Sequence, residues 1–397
     1  MKILHVIPSV APVRGGPSHA VLAMVKALRE QGIDAEIATT NDSGPDLLDV
    51  PLNQCIEYEH VPVWFFPRFS PGIAPVREFA FSSQLTTWLW QRVCEYDLLH
   101  VHAIFSYAST VAMAIARTKH IPYIVRPLGQ LCEWSLQQSA RKKQIYLNLI
   151  ERANLNKAQG LHFTAQQEQQ EASKLSLESP SFILSHGLSL PIPLPEARQR
   201  LRQLLKVPED EPVILFMSRL HPKKGLDYLI PALGKLGHQR FTFVLAGSGS
   251  SDYEAEINNL LVSAGIDKCT YRSGFVEGEM KDLLLQGADL FVLTSYSENF
   301  GVAVLEAMAV GLPVVVTPGV ALASVIEQYQ LGYVAPLDIA AIASTLEHCL
   351  NHPQTTKEMG VSARQLVREQ YSWAGNASKL SKIYAAILKQ DALSIFH

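Results

Sequence analysis

Short continuous apolar runs punctuate this chain, each followed by a polar or glycine-containing turn and then by a segment of helical period. Residues 2–7, 34–39, 97–102 and 121–126 read as strands buried on both faces, because their apolar positions run on instead of alternating. Between them, the pattern predicts a helix from Ser18, a capping residue, to about Gln31, closed by Gly32, and an alanine-rich helix over residues 107–117. A proline-bearing stretch, residues 185–195, reads as a connection between domains. A second alternation follows, with strands at 213–218, 241–246, 270–272, 290–294 and 314–317 and helices at 226–236, 253–264, 280–286 and 301–310. Strand–helix alternation of this kind predicts α/β architecture, with parallel, doubly wound sheets and right-handed crossovers. The chain closes on an amphipathic helix from Ser372 to about Lys389. The expected domains are residues 1–185 and 186–371, each Rossmann-like, followed by the C-terminal helix in 372–397.

Length agrees with two domains, since 397 residues exceed what one core comfortably holds. A net charge of −3 with 18% charged residues is ordinary for a soluble enzyme and argues against nucleic-acid binding, which calls for a basic domain. The five cysteines are scattered and never in Cys-x-x-Cys spacing, which argues for reduced thiols in a cytoplasmic setting, against a disulfide frame and against a zinc site. The apolar run at the N-terminus is too short for a signal peptide, and no segment reaches 18 uninterrupted apolar residues.

The most chemically pointed segment is Ser295-Tyr296-Ser297-Glu298-Asn299-Phe300-Gly301-Val302-Ala303-Val304-Leu305-Glu306-Ala307-Met308-Ala309. A strand leads into it, Phe300-Gly301 turns it, and a helix follows. Free N–H groups and the dipole at a helix start favour an anion, and a carboxylate can accept from a pair of sugar hydroxyls. Glu298 falls in the turn and Glu306 about one and a half turns inside the helix. That arrangement suits a ligand with phosphate in its middle and hydroxyls at both ends, a nucleotide sugar. The Glu-(seven residues)-Glu pattern in this setting resembles the donor-site motif of retaining GT-B glycosyltransferases, in particular glycosyltransferase family 4, the glycosyl transferases group 1.

The resemblance implies a GT-B fold: two Rossmann-like domains with a cleft between them and a C-terminal helix crossing back to the first. It implies retaining transfer of a hexosyl unit from a nucleotide diphosphate sugar, a UDP-sugar ahead of a GDP-sugar, to a sugar or lipid-linked hydroxyl in polysaccharide or glycolipid assembly. Glu298 would hold donor-sugar hydroxyls and Glu306 the ribose, with Asn299, Phe300 and Gly301 completing the donor turn. Arg219 and Lys224, in Ser218-Arg219-Leu220-His221-Pro222-Lys223-Lys224-Gly225, match the family's donor-phosphate pair. A planar guanidinium and a mobile ammonium can neutralise the leaving diphosphate. No Asp-x-Asp motif is present, so no metal and no other cofactor is expected. An exposed basic turn is the plain alternative.

Gly16, in Arg14-Gly15-Gly16, would let the backbone approach the donor, with Arg14 and His19 toward the acceptor, or the pair forms only a tight turn. His102, at a strand end, matches a family histidine near the reacting sugar and joins Glu298, Arg219 and Lys224 as a catalytic candidate; the competing reading is a satisfied core histidine. Arg126 could hold an anionic acceptor group, support the donor phosphate, or form a salt bridge within its domain. Gly247, in Gly247-Ser248-Gly249, is weak evidence for NAD and fits a family loop near the nucleotide, and Phe275 falls where the base lies. Where many relatives carry Asn-Gly-Val-Asp, this chain has Ser185-His186-Gly187-Leu188-Ser189. The acceptor region, residues 42–81, maps onto no substrate class. Arg141-Lys142-Lys143 precedes an amphipathic segment with Ile145, Leu149 and Ala153 at every fourth position. This is either an ordinary solvated helix or a peripheral contact with anionic lipid at the inner membrane face. Two rivals remain beside the transferase: a nucleotide-sugar epimerase or hydrolase of the same fold, and a non-catalytic sugar-nucleotide-binding subunit.

Overall fold

The structure is a computed structural model, described for residues 1–72, 77, 79–138, 140–237 and 239–389. The chain forms two compact units, Met1–Gly187 together with the segment from Trp373, and Leu188–Ser372.

Unit 1 contains β1 (Lys2–Val6), α1 (Gly16–Glu30), β2 (Asp34–Thr40), β3 (Cys55–Tyr58), β4 (Val61–Phe66), α2 (Ser83–Arg92), β5 (Leu98–His102), α3 (Tyr107–Thr118), β6 (Tyr123–Arg126), β7 (Gly160–Phe163) and β8 (Ser181–Ile183). Its eight-stranded sheet runs β8-β7-β6-β5-β1-β2-β4-β3, parallel except for the β3–β4 hairpin. One face buries Leu4, Leu99, Val101 and Met113. The other buries Ile3, Val21, Ile37 and the apolar stripe of the C-terminal helix.

Unit 2 contains α4 (Ala197–Leu205), β9 (Val213–Met217), α5 (Leu226–Gly234), β10 (Thr242–Ala246), α6 (Ser251–Ser263), β11 (Thr270–Gly274), α7 (Gly278–Gly287), β12 (Leu290–Leu293), α8 (Val302–Val310), β13 (Val314–Val316), β14 (Gly332–Val334), α9 (Ile339–Asn351) and α10 (Pro353–Gln370). Its six strands run β11-β10-β9-β12-β13-β14 in parallel. The C-terminal helix, α11 (Trp373–Leu388), returns to unit 1. Strand order reverses between β5 and β1 in unit 1 and between β9 and β12 in unit 2; ligands of open α/β sheets bind at the carboxyl edge of such a point.

Two local readings change. α1 starts at Gly16, with Pro17 in its first turn, and Ser18 does not cap it; the buried Ser18 hydroxyl donates to Ser9 O at 3.1 Å instead. The segment after Arg141 is an α-helix, Ala140–Tyr146, then a π-turn, Leu147–Glu151, then one more turn, Arg152–Leu155. Its apolar stripe faces solvent: Ile145 is 60% and Leu149 76% exposed. Part of the 42–81 acceptor region, residues 73–76 and 78, lies outside the described residues. Among the described residues, no helix is long and apolar enough to cross a membrane.

Candidate active site

Glycines fix the site in unit 2 by letting four strand-end loops touch. Gly225 ends the turn after β9 at φ +70°, and a Cβ there would lie 1.9 Å from Thr294 O. Gly247, after β10, would meet Ser218 O at 1.8 Å, and Gly319, after β13, would meet Tyr296 O at 2.3 Å. No side chain fits at such distances. Hydrogen bonds then tie the loops together. Tyr296 N–H donates to Lys223 O at 2.9 Å, Leu220 N–H to Ser248 O at 2.8 Å and Gly247 N–H to Gly274 O at 2.7 Å. Glu298 is held on both sides of its peptide: its N–H donates to Gly319 O at 2.7 Å, and its carbonyl accepts from Ala321 N–H at 3.1 Å.

This strapping brings Lys224 and Glu298 together at the switch point between β9 and β12. The ammonium, on a residue only 9% exposed, forms an ion pair with the Glu298 carboxylate. Glu306, the fifth residue of α8, pairs with Lys281 of α7, Nζ to Oε1, at 2.8 Å. Arg219 is exposed and makes no hydrogen bond or ion pair with any described residue. Gly301, at φ +89°, opens α8. Phe275 follows Gly274 at the end of β11 and is 62% exposed, free to stack on a planar group. The Phe300 ring is 3% exposed and packs 6.2 Å from Tyr371, so its backbone is what it brings to the turn. Asn299 beside it is partly buried.

Unit 1 treats its candidates differently. Gly15, at φ +75°, makes the turn, and Gly16 opens α1 with His19 exposed in its first turn. Arg14 forks onto Asp42, Nε to Oδ2 at 2.7 Å and Nη2 to Oδ1 at 2.9 Å. Asp42 also holds the buried Arg68, so Arg14 serves the loop's own structure.

His102 and Arg126 are both fully buried, which corrects the picture of side chains opening toward a ligand. The ladder between β5 and β6 continues past His102, with Ala103 N–H donating to Arg126 O at 2.9 Å. His102 joins His5 at 3.0 Å, Nε2 to Nδ1, and stacks on His100 at 4.4 Å. Arg126 Nη2 lies 3.2 Å from the His186 ring nitrogens, and burial pushes its guanidinium down to about 10, against the opposing pull of Glu168. Burial likewise holds His100, His102, His162 and His186 well below the usual 6.5 and His5 at about 3.

Neutral rings fix the direction of one hydrogen-bond chain. His162 Nε2 faces Leu184 O at 2.8 Å, which only accepts, so that nitrogen carries the proton. His162 Nδ1 must then accept from His100 Nε2 at 3.2 Å, and His100 Nδ1 from the Tyr384 hydroxyl at 2.7 Å. Left-handed φ values at Ala103 (67°), Phe105 (56°) and Leu128 (56°) store strain in the loops that follow β5 and β6. Sequence reasoning gave no role to Lys281, Asp42 or Arg68. Only a helix phase could have pointed to Lys281, whereas the Asp42–Arg68 pair had no local signal.

Solved proteins share this architecture. HepE of Anabaena, in complex with UDP and glucose, superposes with a TM-score of 0.76 at 21% identity, over 97% of this chain and 100% of that one. Sucrose-phosphate synthase from Thermosynechococcus elongatus gives 0.81 at 19% identity, over 98% and 100%. Two Rossmann-like units of this kind make up the GT-B fold. The family model described as glycosyl transferases group 1 matches residues 197–366, and that of a glycosyl transferase 4-like domain matches residues 15–184. The chain belongs to the group 1 glycosyltransferases. A D-inositol 3-phosphate glycosyltransferase of Corynebacterium efficiens is 26% identical over 394 residues, 94% of this chain and 90% of that protein. A glycosyltransferase of Methanocaldococcus jannaschii is 34% identical over 191 residues, 48% of either chain.

Proposed function

We propose that this enzyme moves a hexosyl unit from a nucleotide diphosphate sugar, a UDP-sugar ahead of a GDP-sugar, to a hydroxyl acceptor in glycan or glycolipid assembly, with retention and without a metal. The observation that carries this reading is the junction of Lys224 and Glu298 at the switch point of unit 2, with Arg219, unpartnered among the described residues, nearby in sequence and Glu306 inside α8. Arg219 and Lys224 would neutralise the departing diphosphate in the transition state. Glu298 would orient the sugar and Glu306 the ribose, so both act by placement and neither as a nucleophile. Retention then follows from attack on the face the diphosphate leaves, that phosphate taking the acceptor proton.

HepE's complex with UDP supports the choice of base, and the name of the Corynebacterium relative supports a polyol hydroxyl as acceptor. Arg14 is engaged by Asp42 and Arg126 is buried, so no charged acceptor group enters the reading. The test supplies labelled UDP- and GDP-sugars with and without a membrane-lipid extract, and reads the anomeric configuration of the product by NMR. Inverted product refutes retention. Nucleotide released equally without acceptor would favour a hydrolase or epimerase, and no turnover would favour a binding subunit. Exposed Ile145, Leu149 and Ile150 beside Arg141 and Lys142 support a peripheral lipid contact. Liposome co-sedimentation unchanged by replacing Arg141, Lys142 and Lys143 with alanine refutes it.

A further inference from the structure

α7 brings an ammonium to the second glutamate of the donor motif. Lys281 Nζ lies 2.8 Å from Glu306 Oε1, with the two side chains 34% and 20% exposed. Glu306 Oε2 has no partner among the described residues. Its neighbours on α8, Val304, Leu305, Ala307 and Met308, are buried and apolar and offer nothing polar to orient the carboxylate. As a device for stability, a partly exposed ion pair of this kind contributes little. As a geometric device it does more. A free glutamate side chain samples several rotamers, and ordering it on binding has an entropic cost. A charge-assisted hydrogen bond to one oxygen removes that freedom beforehand and leaves the other oxygen open.

We propose that Lys281 is a positioning residue for nucleotide recognition: it fixes Glu306 so that Oε2 faces the ribose hydroxyls of the donor. The inference rests on the reading of Glu306 as the ribose-holding group, and the experiment separates the two. Wild type, Lys281→Met, Lys281→Arg and Glu306→Gln are titrated calorimetrically with whichever of UDP, GDP and ADP the wild type binds most tightly, and with its 2′-deoxy form. A hydroxyl bonded to a charged group makes the wild type prefer the ribo form about tenfold or more. Lys281→Met should shrink that preference to about twofold, with an unchanged melting temperature, and Lys281→Arg should restore most of it. A preference kept by Lys281→Met but abolished by Glu306→Gln overturns the inference and leaves the ribose reading standing. A preference unmoved by both variants, or no binding of any of the three nucleotides, overturns both.

Discussion

Lowering the pH from 7.5 toward 5 asks five fully or almost fully buried imidazoles, His5, His100, His102, His162 and His186, to accept protons beside the buried Arg126 guanidinium. Each is held below its ordinary value of 6.5, first by burial and then by neighbouring cations and rings. The folded state therefore refuses protons that the unfolded state accepts, so stability is complete above about pH 6.5 and falls below it. Each histidine withdraws about 1.4 kcal/mol by pH 5.5, roughly 7 kcal/mol for the set. Glu151 and Glu168 act in the opposite sense, because burial raises them and they take up protons while folded. If they cancel two histidines, about 4 kcal/mol is still lost, a large part of a domain's usual 5–15 kcal/mol. An acid transition of unit 1 near pH 5 is expected. All five tryptophans, Trp64, Trp88, Trp90, Trp134 and Trp373, lie in unit 1, so their fluorescence reports its unfolding alone. Urea titrations followed by that signal across pH 7.5 to 5 give the proton uptake. His5→Asn should flatten the dependence by about 1.4 kcal/mol per pH unit. An uptake of less than one proton per molecule between pH 6 and 5 would refute the reasoning.

Gly225→Ala forces a Cβ to within 1.9 Å of Thr294 O at a left-handed φ, and should destabilise unit 2 by about 3 kcal/mol in urea unfolding followed by circular dichroism. A loss below about 1 kcal/mol would show that the loops relax. Glu298→Gln should lower kcat about a hundredfold while donor binding changes little, and full activity on the true donor would contradict the orienting role. Arg219→Ala should cost a comparable factor in kcat with no change in melting temperature, because this side chain has no partner among the described residues. Activity should survive excess EDTA, and complete loss restored by magnesium or manganese would remove the metal-free reading.

The parallel strands were legible because burial on both faces writes continuous apolar runs such as Leu290-Phe291-Val292-Leu293. β4, with Pro62 and two large aromatics among its residues, Val61-Pro62-Val63-Trp64-Phe65-Phe66, carried no such signature, yet it pairs in parallel with β2. In the site, Lys224 and Glu298 could be read locally because each lies in its own strand-end turn, and the sheet order supplies their meeting. The histidine cluster was not legible. Its members sit on β1, β5, β7 and the segment after β8, and only neighbour relations in the finished sheet bring them together. Residue type also misled: the strand ends at His102 and Arg126 suggested access, whereas both side chains are fully buried against His5, His100 and His186.

The return of α11 to unit 1 sets an order on synthesis. Tyr384 supplies the first proton of the chain through His100 and His162, and Leu380, Ile383 and Ile387 cover the face that Ile3, Val21 and Ile37 share. A ribosome delivers those strands first, yet their cover emerges only after residues 188–372. At about 5–20 residues per second that is an interval on the order of 10–40 s. Throughout it the nascent first unit presents an uncovered apolar face and wet histidines, while the second unit, contiguous in sequence, can already close. The unit that is begun first is finished last.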